Sequence, residues 1–475
     1  MERRTFLKGV AAGTAVAMTG MAEAAKPKKQ PNLVFVFSDQ WRASDTGYAG
    51  NPDVKTPNLD RLAQESVNFT HAVSNCPVCC PYRGTLLTGQ FPDKHGIFLN
   101  DASLGTESTS IAQALNGAGY DTGWIGKWHL DGQGRMSYIP KERRQGFQYW
   151  KVMECTHNYV DSFYYADTPK KLRWDGVYDA FAQTRDAQEY IKDHADEDKP
   201  FALFLSWGPP HAPYLTAPQK YKDMYDPAKV TVPPNVPKES EKEARKNIAG
   251  YYAHCTALDD CVGALMGSLE DLGLAEDTIF VVTSDHGDML GSRGQYKKQR
   301  PWDESIRVPF LLRYPKGLGD APREIDAPIN SPDIMPTMLG LCGITPPDSV
   351  QGEDWTPVLL GTEEREDNAA MIACYHPFGQ WTRKQGGREF RGVRTKRYTY
   401  CRSLEGPWLL YDNVTDPYQM ENLIDRDEMK EIQADLEAQL QVQLAKAEDE
   451  FLHGDEYVKR WGYEVDASGT LPYGA

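Results

Sequence analysis

The run Cys79-Cys80-Pro81-Tyr82-Arg83-Gly84-Thr85-Leu86-Leu87-Thr88-Gly89 sets a thiol, a proline and a guanidinium at short fixed spacing. Pro81 fits the first turn of a helix, where its missing N–H leaves nothing unpaired. Cys79 is expected just before that turn. Free backbone N–H groups at a helix start favour an anion beside Cys79. Asp39-Gln40 follows the apolar run 33–37, and Asp285-His286 follows the apolar run 278–283. Two carboxylates, an amide oxygen and an imidazole suit a divalent cation. Gln40 is either one of the ligands or a hydrogen-bond donor behind them. The nine cysteines are too few and too scattered for a disulfide framework. Cys76 and Cys79 form a single C-x-x-C with no second copy, which argues against a zinc ribbon, and the arginine context argues against a redox pair.

These residues need a scaffold that brings distant segments together. The apolar stretches 33–37, 122–125, 201–207 and 278–283 read as buried parallel strands. Thr56-Pro57 opens one helix, 110–116 forms another, and 248–272 carries apolar residues at helical spacing. Alternating strands and helices predict an α/β sheet with helices on both faces. In such a sheet the carboxyl ends of parallel strands share one edge, where ligands bind, so Asp39 and Asp285 can meet. Composition shifts near residue 365. There 391–400 reads as one alternating strand, with Leu409 to Asp412 as its hairpin partner. Asp416-Pro417 marks a turn, and 428–450 reads as a polar helix with Leu436, Leu440 and Leu444 on one face. The expected organisation is a leader over 1–24, a catalytic domain over 31–365 and a smaller α+β domain over 366–465.

Lys+Arg 52 against Asp+Glu 68 leaves a net charge of −16, which argues against nucleic acid as a partner. Any anionic substrate must then find cations concentrated at the site. Aromatic residues reach 11%, which suits the faces of sugar rings as well as core packing. No apolar run is long enough for a membrane span, so no stable membrane insertion is expected. Arg3-Arg4-Thr5-Phe6-Leu7-Lys8, a weakly apolar stretch and Ala22-Glu23-Ala24 form a twin-arginine leader with an A-x-A cleavage site. This predicts a periplasmic or otherwise exported bacterial protein, carried folded by the twin-arginine machinery.

C-x-P-x-R extended by L-x-T-G resembles the type I, formylglycine-dependent sulfatases of the alkaline phosphatase superfamily. The resemblance continues through Gly126-Lys127-Trp128-His129, Pro210-His211-Ala212-Pro213, Ser284-Asp285-His286-Gly287, Lys298 and the segment from Arg391 to Leu423. It implies an α/β fold in which a large mixed, mostly parallel sheet is sandwiched by helices, with a smaller C-terminal antiparallel sheet. It also implies that a separate maturation enzyme oxidises Cys79 to formylglycine. A thiol would give a thiosulfate with no easy exit. A hydrated aldehyde carries two hydroxyls, one to attack sulfur and one to expel sulfate afterwards.

Carried onto this chain, the resemblance names Cys79, Arg83, Lys127, His129, His211 and Lys298 as catalytic. Arg83, Lys127 and Lys298 would surround the sulfate. Lys298 is preferred to its neighbour Lys297 on its spacing from Asp285. His129 would take a proton from the hydrate, and His211 would serve the leaving alcohol. Asp39, Gln40, Cys79, Asp285 and His286 would hold one Ca²⁺ per chain. Many relatives have Asp where Gln40 stands and Asn where His286 stands, which leaves Ca²⁺ or a transition ion open. His157, Asn158, His376 and Arg383 are expected substrate contacts. The reaction implied is sulfate release from a sulfated carbohydrate. Phosphonate or phosphodiester hydrolysis is the alternative, and a glycan-binding protein without activity the third reading.

Overall fold

The computed structural model describes residues 30–174, 176–365 and 368–472. The twin-arginine stretch and its cleavage site lie outside them. The main sheet has eight strands. In chain order they are β1 Asn32–Asp39, β2 Val67–Phe69, β3 Asp121–Lys127, β4 Tyr149–Met153, β5 Phe201–Pro210, β6 Thr278–Ser284, β7 Phe310–Arg313 and β8 Arg323–Ile325. Across the sheet the order is β8-β2-β7-β6-β1-β5-β3-β4. β1 lies parallel between β5 and β6, with Val34 opposite both Leu203 and Phe280. Only β7 runs against its neighbours, so the sheet is mixed and mostly parallel.

The alternation of β1 decides which layer each side chain joins. Leu33, Phe35 and Phe37 enter one core with α1 (Cys79–Thr88) and α4 (Ser331–Leu341). Val34 and Val36 enter the other with α2 (Asp179–Asp193) and α3 (Glu241–Asp271). Both faces are dry, which explains why the strands read as unbroken apolar runs rather than alternating ones. Ser110 caps the helix Ile111–Gly117 with a full capping box. Among the described residues no helix is long and apolar enough to cross a membrane.

The smaller sheet is antiparallel, in the order β9 Ala370–Cys374, β10 Phe390–Arg394, β11 Tyr398–Ser403 and β12 Gly406–Asp412. The stretch 391–400 is therefore not one strand. Thr395 Oγ1 accepts the amides of Arg397 and Tyr398 and turns the chain into a hairpin. The alternation persists through the turn, which is why it reads as continuous. The polar helix is α5, Lys430–Ala447, stopped by the left-handed Glu448. Leu436, Leu440 and Leu444 are buried as expected, in the same apolar cluster as β1.

Beyond α5 the chain is pinned by a buried ion pair. The Arg391 guanidinium bonds the Asp449 carboxylate, the Tyr457 hydroxyl and the Cys374 carbonyl, stacked 3.8 Å from the Tyr375 ring. Both charged side chains are fully buried. Removing one partner strands the other charge away from water. Asp449→Ala should cost about 3–5 kcal/mol in urea unfolding. The apolar replacement Arg391→Met with Asp449→Leu should recover most of it, and equal losses for both variants would place the energy elsewhere.

Candidate active site

Four parallel strands deliver their carboxyl ends to one edge. Asp39 ends β1, Lys127 ends β3, His211 follows β5 and Asp285 follows β6. Backbone bonds tie these ends together: His211 N donates to Asp39 O at 3.1 Å, and Asp285 N to Ser38 O at 3.1 Å. Gln40 N donates to Asp285 Oδ1 at 2.9 Å. α1 points its amino end at the same edge. Cys79 is its first residue rather than the residue before it, because Val78 is still extended and acts as the cap. The ends of the strands are bent rather than straight. Gly126 has φ 98, and a Cβ there would meet Ser206 O at 2.1 Å. Gln40, His129, Lys297 and Gln299 are non-glycine residues at positive φ, a strain that collects at sites where side chains are aimed by tertiary contacts.

The donor atoms of Asp39, Cys79, Asp285 and His286 lie within 4.8 Å of one another, all buried. Cys79 Sγ is 3.5 Å from His286 Nε2 and 3.7 Å from Asp39 Oδ1. His286 Nδ1 is engaged with the Gly287 carbonyl at 2.9 Å, which leaves Nε2 to face the carboxylates at 3.6 and 3.5 Å. Gln40 is also buried. Its Nε2 donates to Asp288, and its Oε1 has no partner. Two carboxylates and an imidazole within reach of one another, with a buried unpartnered oxygen on the residue after Asp39, fit a hard or borderline divalent cation. This group can therefore hold one.

Cations ring the cluster. Lys127 Nζ reaches Asp39 Oδ2 at 2.6 Å, and Lys298 Nζ reaches Cys79 Sγ at 3.0 Å. Lys298 is buried at the site while Lys297 is only half-buried, so the structure brings in Lys298, as its spacing suggested. Arg83 lies in the same cluster, with its guanidinium engaged by protein groups. Its Nη1 donates to Lys127 O and Ser206 Oγ at 2.8 Å, and its Nη2 lies 3.4 Å from Asp285 Oδ2 and 3.7 Å from Asp39 Oδ2. Its guanidinium stacks 4.9 Å from Phe37. It holds the carboxylates and the end of β3 in place.

Burial pushes Asp285 up to about 6, with the Asp39 charge adding to it. Burial would raise Asp39 as well, but Lys127, with Lys298, holds it below its ordinary value. Burial would likewise raise the Cys79 thiol; Lys127 and Lys298 overcome this and carry it well below the usual range. In a protein of net charge −16, this edge gathers cations around the Cys79 thiol.

His129 Nε2 lies 3.1 Å from Asp101 Oδ1, and Asp101 is clamped by Arg135 Nε and Nη2 at 2.8 and 2.7 Å. The carboxylate fixes Nε2 as the donor, so Nδ1 is the free nitrogen. Burial would lower the imidazole's pKa. The neighbouring Cys155 and Cys80, with Asp101, instead carry it well above its ordinary value. His211 Nδ1 donates to the Ala212 carbonyl at 2.7 Å, and its ring stacks on His157 at 4.4 Å. Burial and then Lys298 hold His211 well below its ordinary value, so it is neutral before an anion arrives.

His157 is therefore brought to the site, through His211. Asn158 is exposed, and its Oδ1 accepts the Val160 amide in a local turn. His376 and Arg383 make their contacts with Glu389 and Asp455: Arg383 bonds both carboxylates, and His376 Nδ1 is 3.7 Å from Asp455. Asp101, Arg135, Ser206 and Asp288 were not singled out from the sequence. Asp288 follows the Asp285-His286-Gly287 motif directly. The others lie in ordinary loop or strand contexts that carry no local signal.

A sulfatase family model matches residues 31–344, and a model described as N-sulphoglucosamine sulphohydrolase, C-terminal, matches 291–446. An ulvan-active sulfatase from Formosa agariphila is 45% identical over 450 residues, covering 94% of this chain and 87% of that protein. This chain belongs to the sulfatase family of the alkaline phosphatase superfamily. An endo-4-O-sulfatase from Bacteroides thetaiotaomicron is 30% identical to this sulfatase over 521 residues, covering 95% of the chain and 97% of the relative. The solved yidJ structure from Bacteroides fragilis matches with a TM-score of 0.81 at 30% identity, over 92% of this chain and 99% of that one.

Sulfate ester hydrolysis gives the His129–Asp101–Arg135 arrangement a measurable consequence. Asp101→Asn keeps the volume but can no longer fix Nε2 as the donor, and it leaves Arg135 with a weaker acceptor. We expect kcat for an aryl sulfate to fall about 10–100-fold with little change in KM. A twofold loss or less would separate the pair from turnover.

Proposed function

We propose that this sulfatase removes sulfate from a sulfated carbohydrate with formylglycine formed from Cys79 and one divalent cation, Ca²⁺ by family preference. The convergence of Cys79, Lys298 and the group Asp39, Gln40, Asp285 and His286 at one sheet edge carries the reading. The carboxylates, the Gln40 oxygen and the His286 nitrogen would hold the cation, which supplies a positive centre for a sulfate oxygen. The hydrated aldehyde supplies one hydroxyl for attack on sulfur and a second whose deprotonation releases sulfate.

The chain's own residues do the rest. Lys127 and Lys298 offset charge that builds on the sulfate in the transition state. Arg83 is a positioning residue that keeps Asp39 and Asp285 from spreading. His129, with Nε2 held by Asp101, moves a proton at Nδ1. His211 presents Nε2 to the leaving oxygen, and the approach of an anion raises its proton affinity from the low resting value. Relatives active on ulvan and a 4-O-sulfated substrate support a carbohydrate. The twin-arginine leader supports export to the periplasm or beyond, and with it maturation of Cys79 by a separate enzyme before the folded chain leaves the cytoplasm.

Mass spectrometry of the peptide spanning Cys79 in active enzyme should show an aldehyde in place of the thiol, with Cys76 and Cys80 unchanged. Only Cys79 stands two residues before Pro81 and four before Arg83. Cys79→Ala should be folded and inactive. Fully active enzyme carrying an intact Cys79 thiol would remove the formylglycine reading and bring phosphonate hydrolysis forward.

The substrate class has its own test. Sulfate should be released from defined oligosaccharides of ulvan or sulfated glycosaminoglycans. Release from nitrophenyl sulfate but from no sulfated saccharide would overturn the carbohydrate assignment.

A further inference from the structure

We propose that Asp288 is a positioning residue that decides which atom of the Gln40 amide faces the cation. The inference rests on the reading above that Gln40 is a ligand. A glutamine amide offers an oxygen on one side and an NH₂ on the other, and only the oxygen can ligate a cation. Turning the group over about its last bond costs little by itself, so something must hold it. Gln40 is fully buried at φ 75, and its Nε2 donates to Asp288 Oδ2.

Asp288 is buried and receives donors on both oxygens. Tyr214 donates its hydroxyl to the same Oδ2, while the amides of Leu290 and Lys297 donate to Oδ1 at 3.0 and 2.7 Å. With every neighbour a donor, Asp288 acts as an acceptor only. The opposite orientation of Gln40 would set its oxygen against a carboxylate oxygen and leave a buried NH₂ unpaired, both costly. The observed orientation instead leaves Oε1 as the unpartnered atom, next to Asp39 in sequence and bonded through its own backbone to Asp285. The family's commoner carboxylate at this position needs no such device, because both of its oxygens can ligate. A glutamine does need one.

The test is Ca²⁺ titration of the full chain, stripped with chelator and followed by calorimetry, with circular dichroism on each variant. Asp288→Asn presents an NH₂ to Gln40 or to the two amides and should weaken Ca²⁺ binding about 10–100-fold. Adding Gln40→Glu restores complementarity, because the amide nitrogen introduced at position 288 can then donate to the carboxylate introduced at position 40 and to the Tyr214 oxygen. The paired variant should bind Ca²⁺ roughly tenfold or more tightly than Asp288→Asn alone, a larger gain than Gln40→Glu brings with Asp288 in place, where two carboxylates would face each other. Tyr214→Phe removes a different donor from the same oxygen and should stay within about threefold of wild type.

A paired variant no better than Asp288→Asn would overturn the proposal, as would an equal loss in Tyr214→Phe. If Asp288→Asn does not fold alone, recovery of fold and binding in the paired variant supports the proposal, and an unfolded pair overturns it. Gln40→Ala separates the layers of the argument. Unchanged Ca²⁺ affinity there sinks the ligand reading and this inference together. A loss there without rescue in the pair sinks the role of Asp288 alone.

Discussion

Two carboxylates that would rather be apart organise this molecule. β1 and β6 run side by side in parallel, with Ser38 opposite Ser284, so Asp39 and Asp285 emerge as neighbours in a place with no water. Each raises the cost of charge on the other, and burial raises it for both. Arg83 and Lys127 relieve part of that cost from one side: Lys127 holds Asp39 charged while Asp285 remains pushed up to about 6. His286 Nε2, 3.5 Å from Cys79 Sγ, and the unpartnered Gln40 Oε1 would complete a set that a divalent cation satisfies. A buried cluster of this kind is poor evidence for stability, since apolar packing would serve the fold better. It is strong evidence for a site.

The Cys79 thiol belongs to the same electrostatic arrangement. α1 is buried along its whole length, and its amino end brings Cys79 to the carboxylate edge together with the helix's free N–H groups. Lys298 arrives from a different direction, between two residues held at positive φ. Its segment is fixed from the C-terminal side: Gln299 Nε2 bonds Phe378 O at 3.1 Å, and Arg300 Nη2 bonds Gln380 O at 3.1 Å. The smaller sheet thus helps hold a cation against Cys79 Sγ, and the buried Arg391–Asp449 pair anchors that sheet to the chain beyond α5. His376, Arg383, Glu389 and Asp455 form an ionic network at the C-terminal part.

Much of the site was legible because its chemistry is encoded in contiguous runs. The C-x-P-x-R stretch, the Asp-Gln and Asp-His pairs after apolar runs, and the lysine and histidine motifs all appear locally. The α/β class was legible for a related reason: strands buried on both faces are apolar throughout, and the helices between them keep their own spacing. What failed locally were features whose pattern survives a change of direction. The hairpin at Thr395 preserves alternation, so two strands looked like one. The type of Arg83 is read locally, but only the fold shows that it meets Lys127, Ser206, Asp285 and Asp39.

The sequence by itself determined the register of Cys79 against Pro81 and Arg83, the residue types after each strand and the layered architecture, because each depends on neighbours within a few residues or on a repeating period. Tertiary structure alone decided orientation. It set Asp101 and Arg135 behind His129, stacked His157 on His211, and placed Asp288 against the Gln40 nitrogen. Those outcomes depend on hydrogen bonds between residues far apart in the chain, where the strand ends and loops converge. A single side chain's type says which bonds it can make, and only the packed fold says which of them it does make.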